Sequence, residues 1–362
     1  MRADLKQRRR RLAQNLVQKN AKGVALGSFQ EGFDANLFYL TGLREKAVLV
    51  LAQDAETLYL PERSPREITF DGAGPDRAEL ARCTGIDSIV HISETDLAKL
   101  QIPRADETVK RRLAELRWVK DEFERAQMRE AARISRHAHD LAHALLREGL
   151  SEWELRVEFE RALFLNGCRE TAYTTIAAAN EHANTLHYID ARGTLLSGGV
   201  VLLDGGGKFE GYAADITSTW IVGEASEEQA RVFEIVRRAQ TAAIEMVKPG
   251  VTMNALQTRT EEVLYEGLKA AGIVRKQAEL KELFPHRVSH WIGLDVHDPK
   301  MSAQDGDREL VEGVTLTIEP GLYFHERASR DYGRYRGIGA RFEEDVLVNR
   351  KGYEVLSRPK TA

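Results

Sequence analysis

Three histidines fall within the segment HRVSHWIGLDVH, His286 to His297, in a chain of 362 residues that has only ten. Imidazole is both a proton carrier near neutral pH and a common metal ligand. The cluster therefore either holds something or is a chance gathering of core and surface rings. His286 and His290 stand four apart, as on one helix face. His290 and His297 stand seven apart and would lie on opposite faces of a regular strand, so Gly293 is where a bend is expected. Arg287 stands where HExxH would have its glutamate, which excludes a zincin.

Four acids join the histidines. Asp204 closes the apolar run Val200-Val-Leu-Leu, and Asp215 lies in the returning segment Ala213-Ala-Asp-Ile. A turn centred near Phe209 and Glu210 would set the two side by side across a hairpin. Glu319 ends Leu316-Thr-Ile, and Glu343 follows Phe342 before Val346 and Leu347. Any one of them reads as a solvated or capped strand end. Together they are half-buried carboxylates that would repel one another unless a cation lay between them. Four carboxylates balance two divalent cations, and oxygen-rich ligation with one imidazole suits Mn2+, or Co2+ as a substitute. Two such ions about 3.5–4 Å apart activate water and polarise a carbonyl.

The elements that must position these residues are legible in outline. Val24–Gly27, Ala47–Ala52 and Thr57–Leu60 read as strands and Leu5–Asn20 as a helix, making an α/β domain over residues 1–115. The run Arg8–Arg11 reads as a solvated helix face. From Val119 to Leu146 apolar residues recur at helical spacing, which opens a second domain over residues 116–362. His137, His139 and His143 read as the solvated side of that helix. Gly149-Leu-Ser opens one helix and Gly250-Val-Thr another, 101 residues later. Ser151 with Glu154, and Ser226 with Gln229, fit capping boxes. The echo suggests a duplicated half closing on a shared site. Gly199–Asp204 and Tyr212–Val222 read as a hairpin across a glycine-rich turn, and Val314–Glu319 and Arg341–Val348 as further strands. The second domain is thus helices over a mostly antiparallel sheet, and the fold class is α+β.

Composition narrows the function. Net charge is −4, 43% of residues are hydrophobic and 30% charged, so neither a nucleic-acid footprint nor a membrane protein is expected. No signal peptide is read at the N-terminus, and no run nears the roughly 18 apolar residues of a span. Cys83 and Cys168 form no disulfide or zinc framework, which suits a reducing cytoplasm.

The order Asp, Asp, His, Glu, Glu resembles the pita-bread metallopeptidases: methionine aminopeptidase, prolidase and aminopeptidase P. The segments that carry the resemblance are LLDGGGKFEGYAADITSTW, HRVSHWIGLDVHD, LTIEPGLYF and YRGIGARFEEDV. SHWIGLDVHD and LRWVKDEFERAQMREAARIS resemble the proline-specific branch. NLFYLTGL and LYLPERSPREITFDGAGP resemble the aminopeptidase P amino-terminal domain. The resemblance implies a C-terminal pita-bread (creatinase/aminopeptidase) catalytic domain behind an N-terminal α/β (creatinase/prolidase-like) domain that serves oligomerisation and substrate access. It implies two divalent ions, Mn2+ before Co2+ or Zn2+, on Asp204, Asp215, His290, Glu319 and Glu343. A metal-bridging hydroxide is the implied nucleophile, and Glu319 the base and proton shuttle. His286, His297 and His187 would touch substrate and steady the tetrahedral intermediate, and Arg341 would orient Glu343 or an aspartate. The chain departs from the family pattern at Ser218 (often Arg), Arg287 (usually Gly) and Ala340 (usually Ile or Val).

The implied activity is cleavage of the Xaa-Pro bond at a peptide N-terminus by a cytoplasmic homodimer or homotetramer. Trp291 and Tyr188 are candidates for a wall against proline, or equally for core. Prolidase, which takes dipeptides, is the alternative. It would need a base at the far end of the pocket, for which Arg287, Arg327, Arg330, Arg334 and Arg336 are candidates. A peptide-binding relative without catalysis and a creatinase-like hydrolase without metal both sit badly with a complete ligand set.

Overall fold

The computed structural model describes residues 4–16, 23–30, 33–52 and 55–358. Its contacts divide the chain into Met1–Arg117 and Trp118–Ala362. The first unit runs α1 (Leu5–Leu16), β1 (Val24–Ser28), α2 (Ala35–Thr41), β2 (Ala47–Leu51), β3 (Glu56–Pro61), α3 (Pro65–Asp71), α4 (Arg77–Thr84), β4 (Ile89–Ile92), α5 (Glu94–Lys99) and α6 (Glu107–Trp118). Its sheet has the order β1-β2-β3-β4, antiparallel except for the parallel β3–β4 pair. Residues 17–20 of the expected first helix lie outside the described residues, and β4 was not anticipated.

The arginine run needs correction. Arg10 and Arg11 are exposed, but Arg8 and Arg9 are buried, Arg9 to 1% exposure. The Arg9 guanidinium donates to the carbonyls of Leu40 and Thr84, each at 2.9 Å, and to Glu56 at 2.7 Å. Those carbonyls belong to the last turns of α2 and α4, where no intrahelical donor remains. One side chain thus satisfies two helix ends while a carboxylate meets its charge.

The second unit runs α7 (Glu122–Ala144), α8 (Glu152–Leu165), β5 (Glu170–Thr171), β6 (Ile176–Ala179), β7 (Val200–Asp204), β8 (Gly207–Phe209), β9 (Tyr212–Ala213), β10 (Thr217–Ile221), α9 (Glu227–Met246), α10 (Met253–Ala270), α11 (Leu280–Leu283), β11 (Thr315–Ile318), β12 (Gly321–Tyr323), β13 (Gly339–Arg341), β14 (Glu344–Asn349) and β15 (Gly352–Val355). Every strand pair in it is antiparallel, in sheets ordered β10-β7-β6, β11-β14-β15, β12-β13 and β5-β8-β9.

The repeated Gly-turn motifs fold alike. The Gly149 N–H donates to Leu195 O at 2.9 Å, and the Leu195 N–H returns to Leu150 O at 2.8 Å. Gly250 and Leu310 repeat this at 2.9 Å, with Leu310 returning to Val251 at 2.7 Å. Ser151 and Ser226 make complete capping boxes, whereas Thr252 caps α10 without a reciprocal acid. The expected strand Arg341–Val348 is broken. The Glu343 N–H donates to Thr217 O at 3.0 Å, so the backbone changes partner between β13 and β14 and ties the two half-sheets together.

Candidate metal centre

Asp204 ends β7, and the ladder pairs it with Thr217 rather than Asp215. The hairpin turns at Glu210 and Gly211, with φ of 47° and 89°, a left-handed pair that favours glycine. The turn is one residue later than expected, so Asp215 is a diagonal neighbour of Asp204, two residues from its partner and on the same face. The two carboxylates still meet. Tyr173, just before β6, places its hydroxyl against Oδ1 of both. A phenol has one proton, so one aspartate must itself carry a proton to complete the pair.

His290 and Glu319 arrive from the other half. His290 Nδ1 lies 3.1 Å from Trp291 O, which can only accept, so Nδ1 is protonated and Nε2 faces the acids. His290 Nε2 stands 3.4 Å from Asp215 and 3.6 Å from Glu319. Ligand atoms of Asp215, His290 and Glu343 lie within 4.8 Å of one another. Glu343 accepts from the Thr217 hydroxyl at 2.6 Å, and that hydroxyl accepts from Arg341 Nε at 3.1 Å. Arg341 also donates to Asp204 and, at 2.8 Å, to the Tyr323 hydroxyl. Its guanidinium therefore grips Asp204 directly and reaches Glu343 only through Thr217.

The histidine segment is neither helix nor strand. The Asp298 N–H donates back to Trp291 O at 2.9 Å, and the His290 and His297 ring centroids come to 4.3 Å. A Cβ on Gly293 would sit 2.5 Å from Asp298 and 2.9 Å from Lys120, a buried ion pair, so the bend packs only as glycine. His286 Nδ1 donates to Arg287 O at 2.9 Å, and its Nε2 accepts from Tyr323 at 3.0 Å. Both nitrogens already have partners, and contact with substrate would require giving one up. All ten of Tyr173, His187, Asp204, Asp215, His286, His290, His297, Glu319, Arg341 and Glu343 line one cavity of about 1070 Å³.

The electrostatics suit divalent cations. Burial raises the Asp204 and Glu343 carboxyls, Glu343 far above the usual range, and it pushes Glu319 up to about 7. Neighbouring carboxylates add to each. Asp215 alone is held low: burial opposes ionisation, but the His290 hydrogen bond and charge outweigh it. Burial and the adjacent Arg341 bring His286 down to about 4. The carboxyls thus retain protons that divalent ions would displace, which is the chemistry of an oxygen-rich ligand set. Asp345, also buried, accepts the Asp215 N–H at 3.0 Å and leaves Oδ1 without a hydrogen-bond partner.

Other expectations turn out differently. His139 is fully buried, not solvated. Its Nε2 donates to Gly205 O at 3.1 Å, and burial drives its pKa down to about 3, so it is a neutral prop under the residue after Asp204. His137 and His143 are exposed. Trp291 is buried edge-on to Trp118 and also lines the cavity, so it serves as core and wall together. Tyr188 is absent from the cavity wall and donates to Glu152 at 2.9 Å. Ser218 takes a hydrogen bond from Arg136 of α7 at 3.0 Å, so a guanidinium reaches this place from another element. Sequence reasoning missed Tyr173, which carries no spacing signal, and Asp345. The latter's i, i+2 relation to Glu343 was a usable clue.

Comparison with known proteins bears on all of this. A family model described as metallopeptidase family M24 matches residues 126–350, and one described as the aminopeptidase P N-terminal domain matches residues 5–109. An Xaa-Pro aminopeptidase of Escherichia coli strain K12 is 34% identical over 251 residues, 67% of this chain and 57% of that protein. The mitochondrial intermediate cleaving peptidase 55 of Arabidopsis thaliana is 31% identical over 363 residues, 90% of this chain and 73% of that protein. Aminopeptidase P from E. coli with the inhibitor Pro-Leu superposes with a TM-score of 0.86 at 26% identity, covering 98% of this chain and 94% of that one. The paired half-repeats are the pita-bread fold.

Proposed function

The chain belongs to metallopeptidase family M24, and from that membership and the site geometry we propose that it is a two-metal Xaa-Pro aminopeptidase. The observation that carries the reading is the convergence of four buried or half-buried carboxylates and one correctly oriented imidazole on a single cavity. Asp204, Asp215, His290, Glu319 and Glu343 would hold two divalent cations, Mn2+ before Co2+ or Zn2+. Such ions supply Lewis acidity and make a nearby water acidic near neutral pH.

The rest falls to side chains. Glu319 takes the proton of the attacking water and passes it to the departing proline nitrogen. His297, beside His290, donates to the oxygen on which charge develops, and His187 meets the peptide from the other half. His286, neutral and held by Tyr323, has Nδ1 3.6 Å from Glu319 and meets substrate there by giving up one of its present hydrogen bonds. Arg341 keeps Asp204 aimed into the centre. An Xaa-Pro amide lacks an N–H, so a site that relies on polarising the carbonyl loses nothing by its absence. The N-terminal unit serves substrate access and oligomerisation. The setting is cytoplasmic and the assembly a homodimer or homotetramer. Two unpaired cysteines, and no membrane-crossing helix among the described residues, are compatible with that setting.

The test is product analysis by mass spectrometry after Mn2+-loaded protein meets Ala-Pro-Ala and, separately, Ala-Pro. Alanine released chiefly from the tripeptide is expected. Release chiefly from the dipeptide would make the enzyme a prolidase, a reading favoured by Arg287 on the cavity wall. Release from neither, with metal bound, would sink catalysis.

A further inference from the structure

Of the five arginines that could close the far end of the pocket, Arg287 lines the cavity and the other four do not. Arg330 is paired with Glu279 at 2.8 Å, Arg334 with Glu228 at 3.6 Å and Arg336 with Asp331 at 3.5 Å. Arg327 is also absent from the wall.

Its setting is built rather than incidental. The backbone is pinned on both sides: Arg287 O accepts from His286 Nδ1 at 2.9 Å, and the Val288 N–H donates to Gln257 Oε1 at 2.8 Å. The guanidinium donates to Asn254 Oδ1, and Asn254 Nδ2 donates in turn to Asp307 at 2.6 Å. Asn254 and Asp307 line the same wall. Asn254 is neutral, so it aims the guanidinium without cancelling its charge. No carboxylate among the described residues forms an ion pair with Arg287. Five N–H donors are spread over the fork, and the Asn254 contact engages a single nitrogen. By contrast Arg341, the other arginine of the cavity, is buried and committed to Asp204.

We propose that Arg287 receives the C-terminal carboxylate of a short peptide, so that this chain favours short free-acid substrates over C-terminally blocked or long ones. The inference rests on the peptidase reading above. A planar guanidinium pairs a carboxylate through two parallel hydrogen bonds, whereas a terminal amide is neutral and offers one oxygen. Only a peptide whose last residue reaches the rim gains the contact, so the same arginine measures length.

The experiment compares Ala-Pro, Ala-Pro-Ala and Ala-Pro-Ala-Ala, each as free acid and as amide, with the wild type, Arg287→Gln and Arg287→Lys. Binding is read by calorimetry on the chelated protein, which does not turn over, and kcat/KM on the Mn2+-loaded protein. At one peptide length the wild type should prefer acid to amide about two- to fivefold, a solvent-exposed pair giving no more. In Arg287→Gln that ratio should fall to about one, with Arg287→Lys between. An acid-to-amide ratio that is the same in wild type and Arg287→Gln overturns the proposal, as does calorimetry that detects neither form. Acid preference in binding without any turnover would sink the peptidase reading and leave the carboxylate site standing.

Discussion

The two halves of the second unit share a scaffold and divide the chemistry unequally. In each, a long helix, a glycine turn and a capped helix lie over a three-stranded antiparallel sheet, and the turn closes with the same reciprocal pair of backbone hydrogen bonds. The first half supplies Asp204 and Asp215 from one hairpin, so their separation is set by a turn a few residues away. The second supplies His290, Glu319 and Glu343 from three segments, each fixed by contacts distant in sequence: Val288 O for Glu319, Thr217 O for Glu343 and, for His290, Thr317, whose hydroxyl takes the His290 N–H at 3.2 Å. Duplication thus accounts for the frame. The ligands come from what each half does at its strand ends.

The sharpest way to break the comparison is to remove one ligand from each half. Asp215→Asn and Glu343→Gln should each lower kcat by on the order of 10²–10³-fold or more. Loss in one variant only, with metal content measured alongside, would show that one half suffices. Next comes metal removal. Glu319 is raised to about 7 in the folded chain, and Asp204 and Glu343 are raised too, so the chelated protein holds protons that the unfolded chain has released. Stability from Glu319 is then complete below about pH 4.5 and is lost as pH rises through about 7, on the order of 2–4 kcal/mol. Urea midpoints of the chelated protein should therefore fall over that window. Added Mn2+ should reverse the slope and release protons, which calorimetry in buffers of different ionisation enthalpy would detect.

Two tyrosines extend the test outward. Tyr173→Phe removes the hydroxyl that lies against both aspartates of the first half, and Tyr323→Phe breaks the link between His286 and Arg341 in the second. Each should cost about 10–100-fold in metal affinity or activity. The first should weaken metal binding more, since its partners include two ligand carboxylates rather than none. The smallest effect concerns the frame itself. Ser151→Ala loses a reciprocal capping box and Thr252→Ala a one-way cap, so the former should lower stability by about 1 kcal/mol and the latter by somewhat less. Equal thermal shifts would mean that Glu154 contributes nothing.

How much of this was legible depends on the kind of signal. Acids that terminate apolar runs stand out because burial without a partner is costly, and this places Asp204, Asp215, Glu319 and Glu343 in view. The Gly-turn echo and its capping residues are local, and they fold as the spacing suggests. The hairpin turns one residue later than expected, at Glu210-Gly211 where the backbone is left-handed, which moves the register by two residues and keeps Asp215 on the Asp204 face. His139 and Arg9 were misplaced for another reason. Helical periodicity assigns a face, but it does not say what packs on that face. The partners turned out to be Gly205, 66 residues away, and the carbonyls of Leu40 and Thr84.

The sequence by itself determined which residue types stand at the strand ends and that the chain repeats a motif, since these depend on neighbours along the chain. Only the tertiary structure decided that Arg341 holds Asp204, that Tyr173 spans both aspartates and that His290 comes within 3.4 Å of Asp215. It also decided that, of five candidate arginines, Arg287 reaches the cavity. Each of those outcomes is set by a hydrogen bond or ion pair made in three dimensions, and spacing along the chain constrains such a partner only weakly.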